Sequence, residues 1–228
     1  MIEAVIFDLD GVIVDSEHVW DAVREGLVRE RGGCWHAHAQ RDMMGMSSLE
    51  WSHYMHDRLG LRESPEEISA EVVSRLETIY RQEIPLIDGA PEAVIRLAEQ
   101  WPLAIASSSN RPLIDLVLKL SGLGHYFQAT VSSEEVPRGK PAPDVYLEAA
   151  RRLGADPVRT TAIEDSYNGI LSAKTASMRV VSVPNSRYPP GEEALAAADI
   201  VLGSIAELTP AAVDESGSLG TDMDSPLP

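Results

Sequence analysis

Glu3-Ala-Val-Ile-Phe-Asp-Leu-Asp-Gly-Val-Ile-Val-Asp-Ser16 is the stretch on which the reading of this chain turns. Ala4–Phe7 is a short apolar run, too short for a helix and rich in strand-favouring residues. Asp8 ends it, and Asp10 follows at a spacing of two, which in extended backbone puts both carboxylates on one side. Gly11 frees the chain to turn away. Two neighbouring acids repel, so one keeps its proton unless a cation joins them. Such a pair can divide its labour, one acid serving as nucleophile or metal ligand and the other as proton carrier. The plainer alternative is a strand ending in an Asp-Gly turn with idle acids. An EF-hand loop also alternates acids, but its flanking helices and further ligands are missing here.

Outward from this stretch, 228 residues suffice for a sizeable core, as one large domain or as a core with a small second domain. A composition of 44% apolar and 24% charged residues is that of an ordinary globular chain. The formal charge of −17 argues against nucleic acid or an anionic membrane as partner, because both require basic surface. To handle an anionic substrate such a chain must gather positive charge locally, from a metal or a few cations. Lysine occurs only as Lys119, Lys140 and Lys174. Cys34, being alone, cannot form an intrachain disulfide, which fits a reducing compartment. Asp8 interrupts the apolar run at the N-terminus. Neither a signal peptide nor a membrane span is expected, and a cytoplasmic location follows.

Asp15-Ser16 can cap a helix running to about residue 31, with Val19, Ala22, Val23, Gly26 and Leu27 on its inner face. Gly32-Gly33 stops it. The pattern predicts further helices over 47–59 and 65–82, the second opened by Ser64-Pro65-Glu66-Glu67. No strand signal interrupts residues 16–84, which are expected to form an all-helical insert, and Pro85-Leu-Ile-Asp-Gly89 to return the chain. From Ala90 helices and strands alternate. Helices are expected over 91–100, 111–120, 144–153, 167–176 and 192–197, and strands over 102–106, 129–131, 160–163, 180–183 and 200–202. Such alternation implies an α/β fold, a parallel sheet covered on both faces, with ligands at the carboxyl ends of the strands. Residues 1–15 and 85–213 are then the core and 16–84 the insert. Residues 214–228, rich in Ser, Gly, Pro and acids, are expected to be a disordered tail.

Three later stretches carry candidate chemistry. Ser107 follows the strand over 102–106, in Ala106-Ser-Ser-Ser-Asn-Arg-Pro112. Asn110 suits an N-cap and Pro112 a first helical turn, and the hydroxyls and free N–H groups there can form an anion site. An ordinary capping turn explains the same residues. Lys140, in Arg138-Gly-Lys-Pro-Ala-Pro-Asp144, cannot be mid-helix, and taken alone it reads as a solvated loop lysine. Glu164-Asp165-Ser166 ends the strand over 160–163, with Asn168-Gly169 in the next helix. Two acids at that point can cap a helix or hold a cation. Four carboxylates, Asp8, Asp10, Glu164 and Asp165, against one lysine make little chemical sense without a divalent cation.

Other candidates are weaker. Cys34, His36 and His38 are close enough for zinc, but no second ligand pair follows at a usual spacing, and a polar interhelical turn explains them. His53 and His56 share a helix face and read as packing or solvated residues. Trp20, Trp51 and Met55 fit the insert's own core. Neither a G-x-S-x-G elbow nor a G-x-x-x-x-G-K-[ST] loop is present.

Taken in order, these stretches resemble the four motifs of the haloacid dehalogenase-like phosphohydrolase superfamily, over about residues 3–205. Asp8-Leu-Asp10-Gly-Val12 looks like Asp-x-Asp-Gly-[Thr/Val]. Ser107 matches the Ser or Thr at the end of the second-motif strand. Lys140-Pro-Ala-Pro143 looks like Lys-Pro-x-Pro, whose lysine pairs with the phosphoryl group and the nucleophile. Glu164-Asp-Ser through Gly169 looks like the Mg²⁺-binding motif Glu-Asp-Ser-x-x-Gly. The resemblance implies a Rossmann-like α/β core, and the helical insert looks like the C1-type cap of the beta-phosphoglucomutase and sugar-phosphatase branch. It further implies that Asp8 attacks phosphorus to form an aspartyl-phosphate, while Asp10 acts as acid and then base. Mg²⁺ would be held by Asp8, the Asp10 carbonyl and Asp165 with help from Glu164, and Ser107 and Lys140 would bind the remaining phosphoryl oxygens. Substrate contacts are expected from Gly11, Ser108 and Asn110 in the core, and from Met44, Gly45, Ser47 and Ser48 in the cap loop. Asp10 counts against the dehalogenase relatives, which lack the second acid.

The expected activity is Mg²⁺-dependent hydrolysis of a small phosphomonoester, of a sugar or polyol, by a monomer or weak homodimer. A mutase is the enzymatic alternative. In beta-phosphoglucomutase the cap loop reads Lys-Gly-x-Ser-Arg and a His follows the first motif. Here Met44-Gly-Met-Ser-Ser48 and Trp20 stand in those places, and residues 16–84 contain no lysine, although Arg41 or a later cap arginine can compensate. The run Asp15-Ser-Glu-x-x-Trp20 looks like the sugar-phosphatase relatives. A non-catalytic phosphate-binding domain is the alternative of another class, and it would be expected to have lost at least one of these groups.

Overall fold

The computed structural model describes residues 1–44, 46–185 and 187–214. Its strands are β1 (Ala4–Phe7), β2 (Leu103–Ser107), β3 (Phe127–Ser132), β4 (Thr160–Glu164), β5 (Arg179–Ser182) and β6 (Ile200–Val201). Among the described residues they form one parallel sheet in the order β3-β2-β1-β4-β5-β6. β1 lies inside the sheet, and all four of its residues are fully buried, as in a strand covered on both faces. Its period of two divides the core. Val5 and Phe7 join Val94, Leu97 and Val117 on one side, while Ile6 joins Ala149, Ile170 and Val180 on the other. Phe7 meets Phe127 edge-on at 6.0 Å.

Four helices lie between Phe7 and the return of the chain: α1 (Glu17–Glu30), α2 (Ala39–Met43), α3 (Ser48–Asp57) and α4 (Pro65–Gln82). No strand interrupts them among the described residues. The rest alternate with the strands: α5 (Ala90–Ala98), α6 (Arg111–Ser121), α7 (Asp144–Leu153), α8 (Tyr167–Thr175), α9 (Glu192–Ala197) and α10 (Pro210–Val213). The short α2 and α10 add to the expected elements, and the strand ends move by a residue or two. The chain leaves the sheet and returns to it side by side. Asp15 N donates to Pro85 O at 2.8 Å, and Ile87 N donates to Ile13 O at 2.9 Å.

α3 and α4 each open with a capping box, Ser47 with Glu50 and Ser64 with Glu67, which satisfies otherwise orphaned N–H groups. α1 departs from the expected arrangement in two ways. Ser16 spends its hydroxyl on Asp10 and not on the helix end. The inner face is also rotated: Trp20, Arg24 and Val28 are buried beside Val19, Val23 and Leu27, whereas Ala22 is exposed and Gly26 partly so. The reason is the aromatic surroundings of Arg24, which make a buried cation tolerable there.

Among the described residues no helix is long and apolar enough to cross a membrane. The expected cap-loop residue Gly45 and residues 215–228 of the expected tail lie outside the described residues. Asp214, the first residue of that tail, accepts a hydrogen bond from Ile2 N at 2.8 Å.

Candidate active site

Parallel strands point the same way, so the loops at their carboxyl ends converge. Asp8 follows β1, Ser107 ends β2, Glu164 ends β4 with Asp165 next, and Lys140 comes from the loop between β3 and α7. Lys140 is 3% exposed, with Nζ 3.0 Å from Asp8 Oδ1 and 2.6 Å from Glu164 Oε1. The same ammonium lies 4.9 Å from the centre of the Tyr146 ring. Glu164 Oε1 also accepts the Tyr146 hydroxyl at 2.9 Å, and Oε2 accepts Asp165 N, Ser166 N and Ser166 Oγ at 2.9–3.0 Å. These donors occupy the lone pairs of the Glu164 carboxylate.

Two glycines make room for the acids. A Cβ on Gly169 would lie 1.7 Å from Glu164 Oε1. Gly11, at φ 79°, likewise has no space for a side chain because of Asp165.

Burial pushes the Asp8 carboxyl well above the usual carboxylate range; Lys140 offsets part of this, while Glu164 and Asp10 add to it. Asp165 is raised in the same way, by burial and then by the charges of Glu164 and Asp8. Glu164 goes down. Burial opposes ionisation there too, but the charge and hydrogen bond of Lys140, with the Ser166 and Tyr146 donors, outweigh it. Burial would lower Lys140, yet Asp8 and Glu164 raise it above the ordinary lysine value. Three buried carboxylates thus surround a single buried ammonium. Asp8, Glu164 and Asp165 each bring a carboxylate oxygen within 4.8 Å of the others, and all three are buried.

The Asp10 carboxylate stands apart from this triad. Its Oδ1 accepts Ser16 Oγ at 2.6 Å and Trp20 Nε1 at 3.3 Å; its Oδ2 accepts Ser109 Oγ at 2.6 Å and Ser107 Oγ at 3.3 Å. Ser107 is fully buried and also accepts Ser109 N at 2.9 Å. Asp8, Asp10, Ser108, Lys140 and Asp165 form the sheet side of one pocket, and Glu17, Trp20, Arg24, Met44 and Trp51 the insert side. The space between them is a cavity of about 40 Å³, room for roughly three waters.

Of the expected substrate contacts, Met44 and Ser108 line this pocket, whereas Gly11 lies outside its lining and Ser47, Ser48 and Asn110 line a separate cleft of about 790 Å³. Local bonding explains the difference. The Ser47 hydroxyl is committed to the α3 cap. Asn110 Nδ2 donates to Glu134 Oε1 at 2.7 Å, and Glu134 Oε2 accepts Arg111 N, so Glu134 and not Asn110 serves the start of α6. The triad offered by the structure also omits the Asp10 side chain. Glu17 and Arg24 escaped the sequence reading as pocket residues. The run Asp15-Ser-Glu-x-x-Trp20 carried a signal for Glu17, and Arg24 lies one helical turn beyond Trp20 on the same face.

The His36 ring sits 3.0 Å from the Tyr54 hydroxyl, which donates to Asp42, and Cys34 is exposed.

Residues 2–177 match the haloacid dehalogenase-like hydrolase family. Over 225 aligned residues the chain is 33% identical to hexitol phosphatase B of Escherichia coli (strain K12), covering 90% of this chain and 94% of that protein. A crystal structure of a CbbY variant from Rhodobacter sphaeroides in complex with xylulose-(1,5)bisphosphate superposes with a TM-score of 0.84 at 26% identity, covering 94% of this chain and 100% of that one. Beta-phosphoglucomutase from Clostridium difficile shares the fold, with a TM-score of 0.79 at 23% identity over 92% of this chain and 94% of that one. With this match across most of its length and an acid-rich centre at the carboxyl end of its sheet, the chain belongs to the haloacid dehalogenase-like hydrolases and is a phosphoric monoester hydrolase among them.

Proposed function

We propose that the protein hydrolyses a small phosphomonoester, of a sugar or polyol, in two steps through an aspartyl-phosphate on Asp8. The observation that carries this reading is the Lys140 ammonium bridging Asp8 and Glu164 beside Asp165. Asp8 is held in place through Oδ1, which lies 3.0 Å from Lys140 Nζ and accepts Leu9 N at 2.7 Å. In the first step Asp8 forms a bond to phosphorus, the ester P–O bond breaks, and Asp10 gives its proton to the departing alkoxide. In the second step a water attacks phosphorus, Asp10 takes a proton from it, and the P–O bond to Asp8 breaks to release inorganic phosphate. The hydroxyls of Ser16, Ser107 and Ser109 can turn from donor to acceptor as Asp10 gains and loses its proton.

The donor set fits Mg²⁺. Asp8 and Asp165 are buried and bring carboxylate oxygens within 4.8 Å of each other, and such hard oxygen donors suit that metal. Asp8, Asp165 and the Asp10 carbonyl would hold it, while Glu164, saturated by five donors, braces Lys140 and the loop. When bound, Mg²⁺ supplies positive charge to the transferring phosphoryl group. Residues 16–84 act as a cap that opens about the paired crossings at Asp15 and Pro85, and the 40 Å³ cavity supports this. A panel of phosphate esters with Mg²⁺, including glucose 1-phosphate with and without a bisphosphate primer and followed by phosphorus NMR, tests the reading. Release of inorganic phosphate is expected; faster conversion to the 6-phosphate would make the protein a mutase.

A further inference from the structure

Arg24 has no task in that hydrolysis. It is only 5% exposed, yet it lines the pocket. Its guanidinium carbon lies 4.5 Å from the Trp20 ring centre and 4.8 Å from that of Trp51, and the two rings meet edge-on at 5.8 Å. Among the described residues Arg24 makes no hydrogen bond or ion pair, and its Nε is buried without a partner. The carboxylates of Glu17, Asp10 and Asp21 act on it only through space. A guanidinium carries five N–H donors, and buried donors without acceptors cost free energy. Indole faces hold the cation but accept no hydrogen bond from its edge. A hydrocarbon side chain could join the two tryptophans without that cost. The arrangement is that of a donor array held ready at the insert side of the pocket, across from Asp8 and Asp10.

The neighbours of Arg24 indicate what it receives. Glu17 lines the same pocket, and its Oε2 accepts Gln40 Nε2 at 3.0 Å. A second phosphate or a carboxylate would bring negative charge against Glu17 and Asp10. A hydroxyl does not: it accepts from Arg24 while donating to Glu17. We propose that Arg24 is the specificity-determining residue of this pocket and binds the hydroxyl oxygens of a neutral polyhydroxylated tail, at the end of the substrate remote from the phosphoryl group. This inference rests on the hydrolytic reading above and narrows its substrate to a polyol or sugar monophosphate, in preference to an ester with an anionic tail.

The test compares kcat/KM for sorbitol 6-phosphate, for hexyl phosphate, which has the same chain length without hydroxyls, and for 6-phosphogluconate. The wild-type protein is expected to prefer the first. Arg24→Met should lower the ratio of sorbitol 6-phosphate to hexyl phosphate by roughly 10- to 100-fold, the worth of a charge-assisted hydrogen bond. Arg24→Lys, which keeps the charge without the fork, should restore only part of it. An unchanged ratio in Arg24→Met overturns the proposal. So does a loss that falls chiefly on 6-phosphogluconate, which would make this an anion subsite. If Arg24→Met does not fold, the Arg24→Lys ratio decides, a fall supporting the proposal and an unchanged ratio overturning it. If the wild-type protein cleaves none of the three esters but releases phosphate from others of the panel, the tail assignment is overturned and the hydrolytic reading stands; release from no ester of the panel would sink that reading.

Discussion

The α-carbon of Gly11 abuts the carboxylate of Asp165, so closely that a methyl group there would lie 2.0 Å from Oδ2. Gly11→Ala therefore has two costs. The positive φ of 79° disfavours any side chain by about 1 kcal/mol, and Asp165 must move. Displacing that carboxylate should weaken Mg²⁺ binding roughly 10- to 100-fold, the usual effect of disturbing a ligand's support. Calorimetric Mg²⁺ titration of the variant checks this. Wild-type affinity would mean that Asp165 is not a ligand.

Asp8→Asn should abolish turnover while leaving the fold intact, because the amide is no nucleophile. Circular dichroism and steady-state phosphate release settle the two halves separately. Measurable turnover above background would remove Asp8 from the nucleophilic role.

Lys140 is the buried cation between two buried acids. Lys140→Met should destabilise the metal-free protein by about 3–5 kcal/mol, since it leaves an uncompensated buried charge. Added Mg²⁺ should recover more stability in the variant than in the wild type. Thermal unfolding with and without the ion reads both numbers, and an unchanged Tm in chelator would contradict the assignment.

Glu17 is held up to about 7, first by burial and then by the charge of Asp10, with Arg24 pulling the other way. A carboxyl whose affinity for protons rises on folding stabilises the fold below its unfolded value, near 4.5. That contribution shrinks as pH rises and is gone above about 7, a swing of roughly 3 kcal/mol. Glu17→Gln cannot lose it. The variant should match the wild type near pH 4.5 and exceed it in stability at pH 8, as urea midpoints at both pH values will reveal. Equal midpoints at pH 8 would show that the carboxyl is not enclosed.

Exhaustive chelation should abolish activity and Mg²⁺ restore it, with Ca²⁺ inhibiting because it tolerates a looser geometry. Full turnover in chelator would eliminate the metal.

The core was legible because its signals are local and its physics repetitive. The apolar run Ala4–Phe7, the alternation after Ala90 and the Gly-Lys-Pro run at Lys140 each admit few conformations, and parallel strands bring their ends together. Capping was legible only where no other group competed. Ser64 caps α4 as read, but Ser16 was diverted by Asp10, and Glu134 displaced Asn110 at the start of α6. Arg24 was hidden for a different reason. A charged residue on an amphipathic helix reads as solvent-facing, and only the tertiary meeting of Trp20 with Trp51 gives it an aromatic berth. The short α2 has too few residues to display a period.

β1, near the start of the chain, pairs with β2 near residue 103 and with β4 near residue 160. During synthesis it has no partner until β2 emerges and is enclosed only when β4 does, so the pairing of β1 waits on contacts distant in sequence. The stretch left waiting is Ala4–Phe7, four apolar residues with an unpaired backbone on both edges, a ready partner for another nascent chain. The acids of Asp8 and Asp10 directly behind it act as gatekeepers in that interval. Asp8 obtains its neighbours Lys140 and Glu164 only once the long stretch of chain between them has been synthesised.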